Sequence, residues 1–201
     1  MGDRRRGRVP PAVAAGHDAL RLEERALAWI EPYWNARHLV RTRDWLLELE
    51  PDAGEAARLA ALTHDMERHF PGGPEQDLSV WPDEQGEQTY RRLHSERTAE
   101  IVGAWLRDHG ADDHLVSDVQ RLIVAHETGG APDEDLLQAA DSLSFLETNG
   151  DVLARWYTRG RCSRARAKAQ ARWMFERIKI DRARELARAL FEEAIAVVDR
   201  A

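Results

Sequence analysis

The chain carries one cysteine, Cys162, in 201 residues. No internal disulfide can form, and nothing points to an oxidising compartment. Long apolar runs are missing: none approaches the roughly 18 residues that a membrane span needs. Alternating Val, Ile and Thr runs joined by hairpin turns, the signature of strands, are almost absent. The Asn149-Gly150 pair lies between helical patterns and reads as a helix stop. Positive charge is not in excess either. The formal net charge is -7, without a dominant basic face, which is a poor fit to a nucleic-acid partner. No internal repeat is visible. These absences lead us to expect a cytoplasmic protein with no membrane partner.

What is present is Ala, Leu, Arg and Glu, the good helix formers. Hydrophobic residues make up 43% and charged residues 32%, the balance of a globular chain with a real core. The fold class read from this is all-α, in one compact domain. The basic start MGDRRRGRVPPAVAAG resembles the first part of a signal peptide, but its apolar stretch is short and broken by Pro10 and Pro11. It reads as a disordered lead-in over residues 1–16, with the domain over 17–201.

The periodicity predicts helices over about 18–33, 36–49, 54–69, 85–109, 115–127 and 132–148, and a final long pattern over 163–198 broken near Asp181. A Gly/Pro/polar loop separates the third and fourth, from Pro71 to about Glu84. Leu22, Leu27 and Ile30 mark the apolar side of the first helix; Leu93, Ile101 and Leu106 mark that of the fourth.

Eight histidines are spread along these helices. His64-Asp65 follows the apolar run Leu59-Ala60-Ala61-Leu62. Imidazole and carboxylate suit borderline divalent metals, and a metal would supply the counter-charge that a buried aspartate needs. Taken alone, the dipeptide reads equally as a helix end with a favourable His beside a solvated Asp. His17-Asp18 is the same dipeptide before the first helix, where Asp18 is an N-cap candidate and no chemistry is assigned. His38 opens the second helix, His94 lies within the fourth, and His126 closes the run Leu122-Ile123-Val124. Asp141 interrupts the apolar LLQAADSLSFL; facing inward it needs a partner, and facing water it needs none. His69, His109 and His114 read as surface residues.

In order, His38, His64-Asp65 and Asp141 resemble the signature of the HD superfamily of metal-dependent phosphohydrolases: His, then His-Asp, then a distant Asp, on successive helices. The resemblance covers roughly His38 to Glu147. It implies an HD-type helical bundle with a C-terminal helical extension, and a metal held by His38, His64, Asp65 and Asp141. One-metal members carry acidic residues shortly after His-Asp; here Met66-Glu67-Arg68 places a cation there. With His94 and His126 in the following interval, the series resembles the six-ligand, two-metal branch. The implied cofactor is one or two divalent ions (Mn, Fe, Co, Ni, Mg or Zn).

The implied chemistry is hydrolysis of a phosphoester or phosphoanhydride, of a nucleotide or another small phosphorylated molecule, by a metal-bound hydroxide. Asp65 would bridge or orient, and Arg68 would neutralise phosphoryl charge; Arg68 reads equally as a solvated helix-end cation. Glu67 or Glu127 would assist proton transfer. The basic segment ARWYTRGRCSRARAKAQARWMFERIK offers Arg155, Arg159, Arg161, Arg164, Arg166 and Lys168 to an anion, with Arg164 and Lys168 the substrate-binding candidates. Trp156, Tyr157 and Trp173 could stack a base. The plainer reading of that segment is an exposed face with core tryptophans. Two rivals remain at the level of function: an HD-type di-iron oxygenase, and a non-enzymatic helical module that binds a nucleotide or partner through the basic segment.

Overall fold

In a computed structural model, the backbone is described for residues 15–201 and side chains from Leu22 onward. Nine α-helices and no strand are found among the described residues: α1 (Ala15–Ile30), α2 (Ala36–Leu49), α3 (Glu55–Thr63), α4 (Gln85–Asp108), α5 (Asp113–Ala125), α6 (Pro132–Thr148), α7 (Gly150–Thr158), α8 (Arg164–Glu176) and α9 (Asp181–Arg200). The fold is all-α, as the composition predicts. The expected lead-in lies outside the described residues, apart from residues 15 and 16, which begin α1. Asp18 therefore falls inside α1 and not at its N-cap; its side chain and that of His17 lie outside the described residues.

Helix α6 organises the packing. Residues 137–144 are all buried, the polar Gln138, Asp141, Ser142 and Ser144 included, because the helix is covered on two sides. Leu137 and Ala140 join the core built by α1 to α5, while Ala139, Leu143 and Leu146 join a second core with α7, α8 and α9. A helix enclosed in this way has no wet side, so Asp141 faces inward. Its neighbour α2 packs along it, α3 lies against α2 and α5, and α4 lies against α5.

Three sequence expectations need correction. The third helix does not run through to His69. It stops at Thr63, and Asp65 (φ -109°, ψ 7°) leads into a separate 3-10 turn, Met66–His69. Asn149-Gly150 does stop a helix, with Asn149 the C-cap of α6, but the segment after it, for which no helix is expected, is helical: α7 starts at Gly150 itself. In α4 the buried face is polar near its start, with Glu87, Tyr90, Arg91, His94, Ser95 and Thr98, and becomes apolar only at Ala99, Val102 and Leu106. Leu93, expected on the apolar side, is exposed. The helix ends at Asp108, and the chain turns away just past its C-cap at Gly110, whose φ of +84° suits glycine.

Because α6 belongs to both cores, they should unfold together. Leu39→Ala in the first core and Leu153→Ala in the second should each lower stability by about 2–5 kcal/mol. In urea, loss of helical circular dichroism and of tryptophan fluorescence should coincide in both variants; separate transitions would show that α6 does not couple them.

Candidate metal centre and adjoining cleft

Four histidines and two aspartates meet where α2, α3, α4, α5 and α6 converge. Each histidine is fixed through Nδ1. His64 and His126 occupy the C-cap positions of α3 and α5, and each donates Nδ1–H to the carbonyl three residues earlier, Ala61 O at 3.1 Å and Ile123 O at 2.6 Å. Terminal carbonyls of a helix lack intrahelical donors, so a histidine at that position both caps the helix and is oriented by it. His94 donates to Glu67 Oε1 at 2.7 Å. His38 Nδ1 lies 2.8 Å from Ser144 Oγ, whose own proton goes to His38 O at 2.7 Å, so the hydroxyl accepts from the ring.

All four acceptors can therefore only accept, and all four rings carry their Nδ1 proton outward. In neutral imidazoles this leaves the Nε2 lone pairs pointing to the centre. There they meet carboxylates. His38 Nε2 is 3.1 Å and His64 Nε2 3.4 Å from Asp141 Oδ1; His94 Nε2 is 3.0 Å from Asp65 Oδ1. The Nε2 atoms of His64 and His94 are buried, yet neither makes a properly directed hydrogen bond. Close approach of lone pairs and carboxylate oxygens without hydrogen-bond geometry is what two ligands of one cation show. Three overlapping trios have donor atoms within 4.8 Å of one another: His38, His64 and Asp65; His64, His126 and Asp141; Asp65, His94 and His126. These residues can hold a metal ion, and the donor set of imidazole and carboxylate fits a divalent one.

Arginines balance the carboxylates. Burial alone would raise the pKa of Asp65, but Arg68, with Nη1 at 3.1 Å from Oδ2, together with His94 and His64 holds it well below the ordinary range. Burial would likewise raise Asp141; Arg177 outweighs it through an ion pair with Oδ2. Arg177 comes from the C-cap of α8 and also donates to Glu127 Oε2 at 2.5 Å and to Ser142 Oγ at 2.8 Å. Against burial, that contact lowers the Glu127 pKa. Glu67 is completely enclosed, with Arg97 Nη1 at 3.8 Å on its far side.

One face of the centre opens into a cleft of about 340 Å³, lined among others by His38, Asp65, Arg68, His126, Glu127 and Asp141. Arg68 thus reaches the cleft, as its expected role requires. Arg164 and Lys168 do not line it. Lys168 pairs with both carboxylate oxygens of Asp199 at 2.8 Å, and Arg164 lies over the Tyr157 ring. His69 and His114 are exposed and His109 is half-buried against Trp105, all away from the centre. The sequence reading missed Arg177, Ser144, Tyr90 and Arg91. Only Ser144 left a local trace, three residues after Asp141 and so on a neighbouring part of the same helix.

Residues 31–184 match the model of a family described as a domain of unknown function, DUF4202. The chain belongs to this family. No curated protein and no solved structure matches it. The DUF4202 match spans all six candidate ligands and also Arg177, so the centre and its balancing cation both fall within the family domain.

Two outcomes follow from this electrostatic arrangement. Burial opposes protonation of His64 and His94, but Asp141 beside the first, and Asp65 with Glu67 beside the second, outweigh it and raise both pKa values; burial pushes His126 down to about 4. A raised histidine stabilises the fold below its unfolded value of about 6.5, and that contribution is lost as pH rises through the folded value. The metal-free DUF4202 chain should therefore lose melting temperature as pH rises above about 6.5. Added Mn²⁺ should restore it over the same interval, with proton release seen by calorimetry. A Tm that is flat with pH and indifferent to metal would refute the centre. Separately, Arg177→Gln should weaken metal affinity about 10–100-fold without loss of helix content, because Asp141 and Glu127 lose their common anchor.

Proposed function

We propose that the chain is a metal-dependent hydrolase of phosphoesters or phosphoanhydrides, built on an HD-type centre. The observation that carries this reading is the convergence of four Nε2 atoms and two aspartates at the floor of an arginine-bearing cleft. His38, His64, Asp65 and Asp141 would hold one ion, and Asp65, His94 and His126 a second, with Asp65 common to both. Bound there, divalent ions polarise a phosphoryl oxygen and bring the pKa of water toward neutrality.

The side chains divide the remaining work. Arg68 is tied to Asp65 through Nη1 while its Nε is buried without a partner, so the guanidinium retains donor capacity beside the floor of the cleft. It is suited to take phosphoryl charge as that charge builds in the transition state. Glu127 lines the same cleft with Oε2 fixed by Arg177 and Oε1 3.7 Å from His126 Nε2. Held ionised there, it is suited to accept a proton from the attacking water and return it to the leaving oxygen. Met66 and the apolar residues Leu59 to Leu62 of α3, which flank His64-Asp65 in the chain, are buried.

Protein reconstituted with Mn²⁺, Co²⁺ or Ni²⁺ should release phosphate from a panel of small phosphoesters and nucleotides. Asp65→Asn should reduce that rate by on the order of 100-fold or more, since it removes a ligand charge and the anchor of Arg68 together. No release across the panel with any of these metals would sink the proposal. Dioxygen consumption by iron-loaded protein would instead direct the reading to oxidation.

A further inference from the structure

The outer cleft carries more positive charge than a single phosphoryl group at the centre requires. The basic segment after α6 divides in two. Arg164 and Lys168 are engaged with Tyr157 and Asp199. Arg155, Arg159 and Arg161 are exposed, line the cleft, and have no acidic partner within 4.0 Å among the described residues. Arg155 lies in the last turn of α7 and Arg159 is the C-cap of that helix, four residues on and so on its same side. Val152 and Asn149 continue that face inward toward Phe145, whose ring is 6.3 Å from that of His38. At ~1.5 Å of rise per residue, Arg155 stands about 9 Å along the helix from Asn149, and Arg159 follows just past the helix end.

A second wall, on α4, carries a buried charge that is only partly compensated. Arg91, 8% exposed, lines the cleft one helical turn before His94. Its Nη2 donates to Pro82 O at 2.6 Å, and its Nη1 is buried without a hydrogen-bond partner, 3.7 Å from Glu87 Oε1. Arg166 Nη2, also partnerless, lies at the same distance from the same oxygen. One carboxylate thus serves two guanidiniums, and the surplus positive charge is one that burial makes costly. Arg91 stacks on Trp173 at 4.1 Å and Arg177 on the same ring at 4.6 Å, so this charge is one indole away from the cation that holds Asp141.

We infer that the cleft selects small phosphorylated molecules that bear a second anionic group, a phosphate or a carboxylate, received by Arg155, Arg159 and Arg91 while the reacting phosphoryl group occupies the centre. Guanidinium forks match either oxyanion, and the cleft volume suits a small molecule rather than a polymer. Which end reacts rests on the hydrolase reading above; the second anion site does not.

The test uses three phosphonates of one chain length, which cannot turn over: butylphosphonate, 5-phosphonopentanoate and butane-1,4-bisphosphonate. Each is titrated calorimetrically into the full chain, Mn²⁺-loaded and metal-stripped. The wild type should bind at least one two-ended probe tenfold or more tightly than butylphosphonate, and whichever is preferred identifies the second group. In the double variant Arg155→Gln, Arg159→Gln, whose exposed positions leave the fold intact, that preference should fall below threefold. No preference in the wild type, or a preference that survives in the double variant, overturns the inference. Phosphate release from butyl phosphate, measured in parallel, separates the two readings. Turnover without preference removes the second anion site alone, and preference without turnover removes the hydrolase reading alone.

Discussion

Four imidazoles hold their Nδ1 protons against fixed oxygens, and this constraint directs four Nε2 atoms and two carboxylates into one small volume of the core. Lone pairs and negative charges at 3.0–3.4 Å are unfavourable unless a cation or protons stand between them. The surrounding structure keeps the arrangement from relaxing. Two of the acceptors are carbonyls in the last turn of a helix, one is a hydroxyl on α6, and one is the buried carboxylate of Glu67. Releasing the His94 ring would leave the buried Glu67 carboxylate without that donor, at a cost of about 1–3 kcal/mol.

The same constraint accounts for the arginines. Asp65, Glu67 and Asp141 are buried and Glu127 is partly buried beside them, and each has a guanidinium within 4.0 Å: Arg68, Arg97 and, for Glu127 and Asp141, Arg177. The Arg177–Asp141 pair, the most deeply buried of these, contributes little net stability, because the Coulombic gain roughly offsets desolvation. Its consequence is geometric. Asp65, Asp141 and Glu127 each keep one oxygen on an arginine and turn the other toward a histidine Nε2, while the other oxygen of Glu67 accepts from His94 Nδ1. Helix α6 makes the arrangement rigid, since it is packed on both sides and brings Asp141 and Ser144 to the centre from one continuous, enclosed element.

Beyond the floor, the cleft changes character. Its floor is carboxylate and imidazole, while its outer walls carry arginine and indole side chains from α4, α7 and α8. An anion entering such a cleft meets cations first and the ligand cluster last, a gradient that favours entry by the anionic end of a small molecule.

The sequence by itself determined the all-helical class, the bounds of α2 and α6 to the residue, the loop over 71–84, and the residue types and order of the six candidate ligands. Helical periodicity and caps are local properties, and a short ordered motif is legible without three-dimensional contacts. Only the tertiary structure decided that Asp141 faces inward, because its environment depends on α7 to α9 covering the far side of α6. It also decided that α3 breaks between Thr63 and the 3-10 turn, where side-chain convergence overrides a periodicity that continued to His69. Arg177 and Arg91 were invisible for the same reason. An arginine 36 residues from the aspartate it holds leaves no spacing to read, and a guanidinium stacked on an indole across a cleft looks, in sequence, like any other charge on a helix.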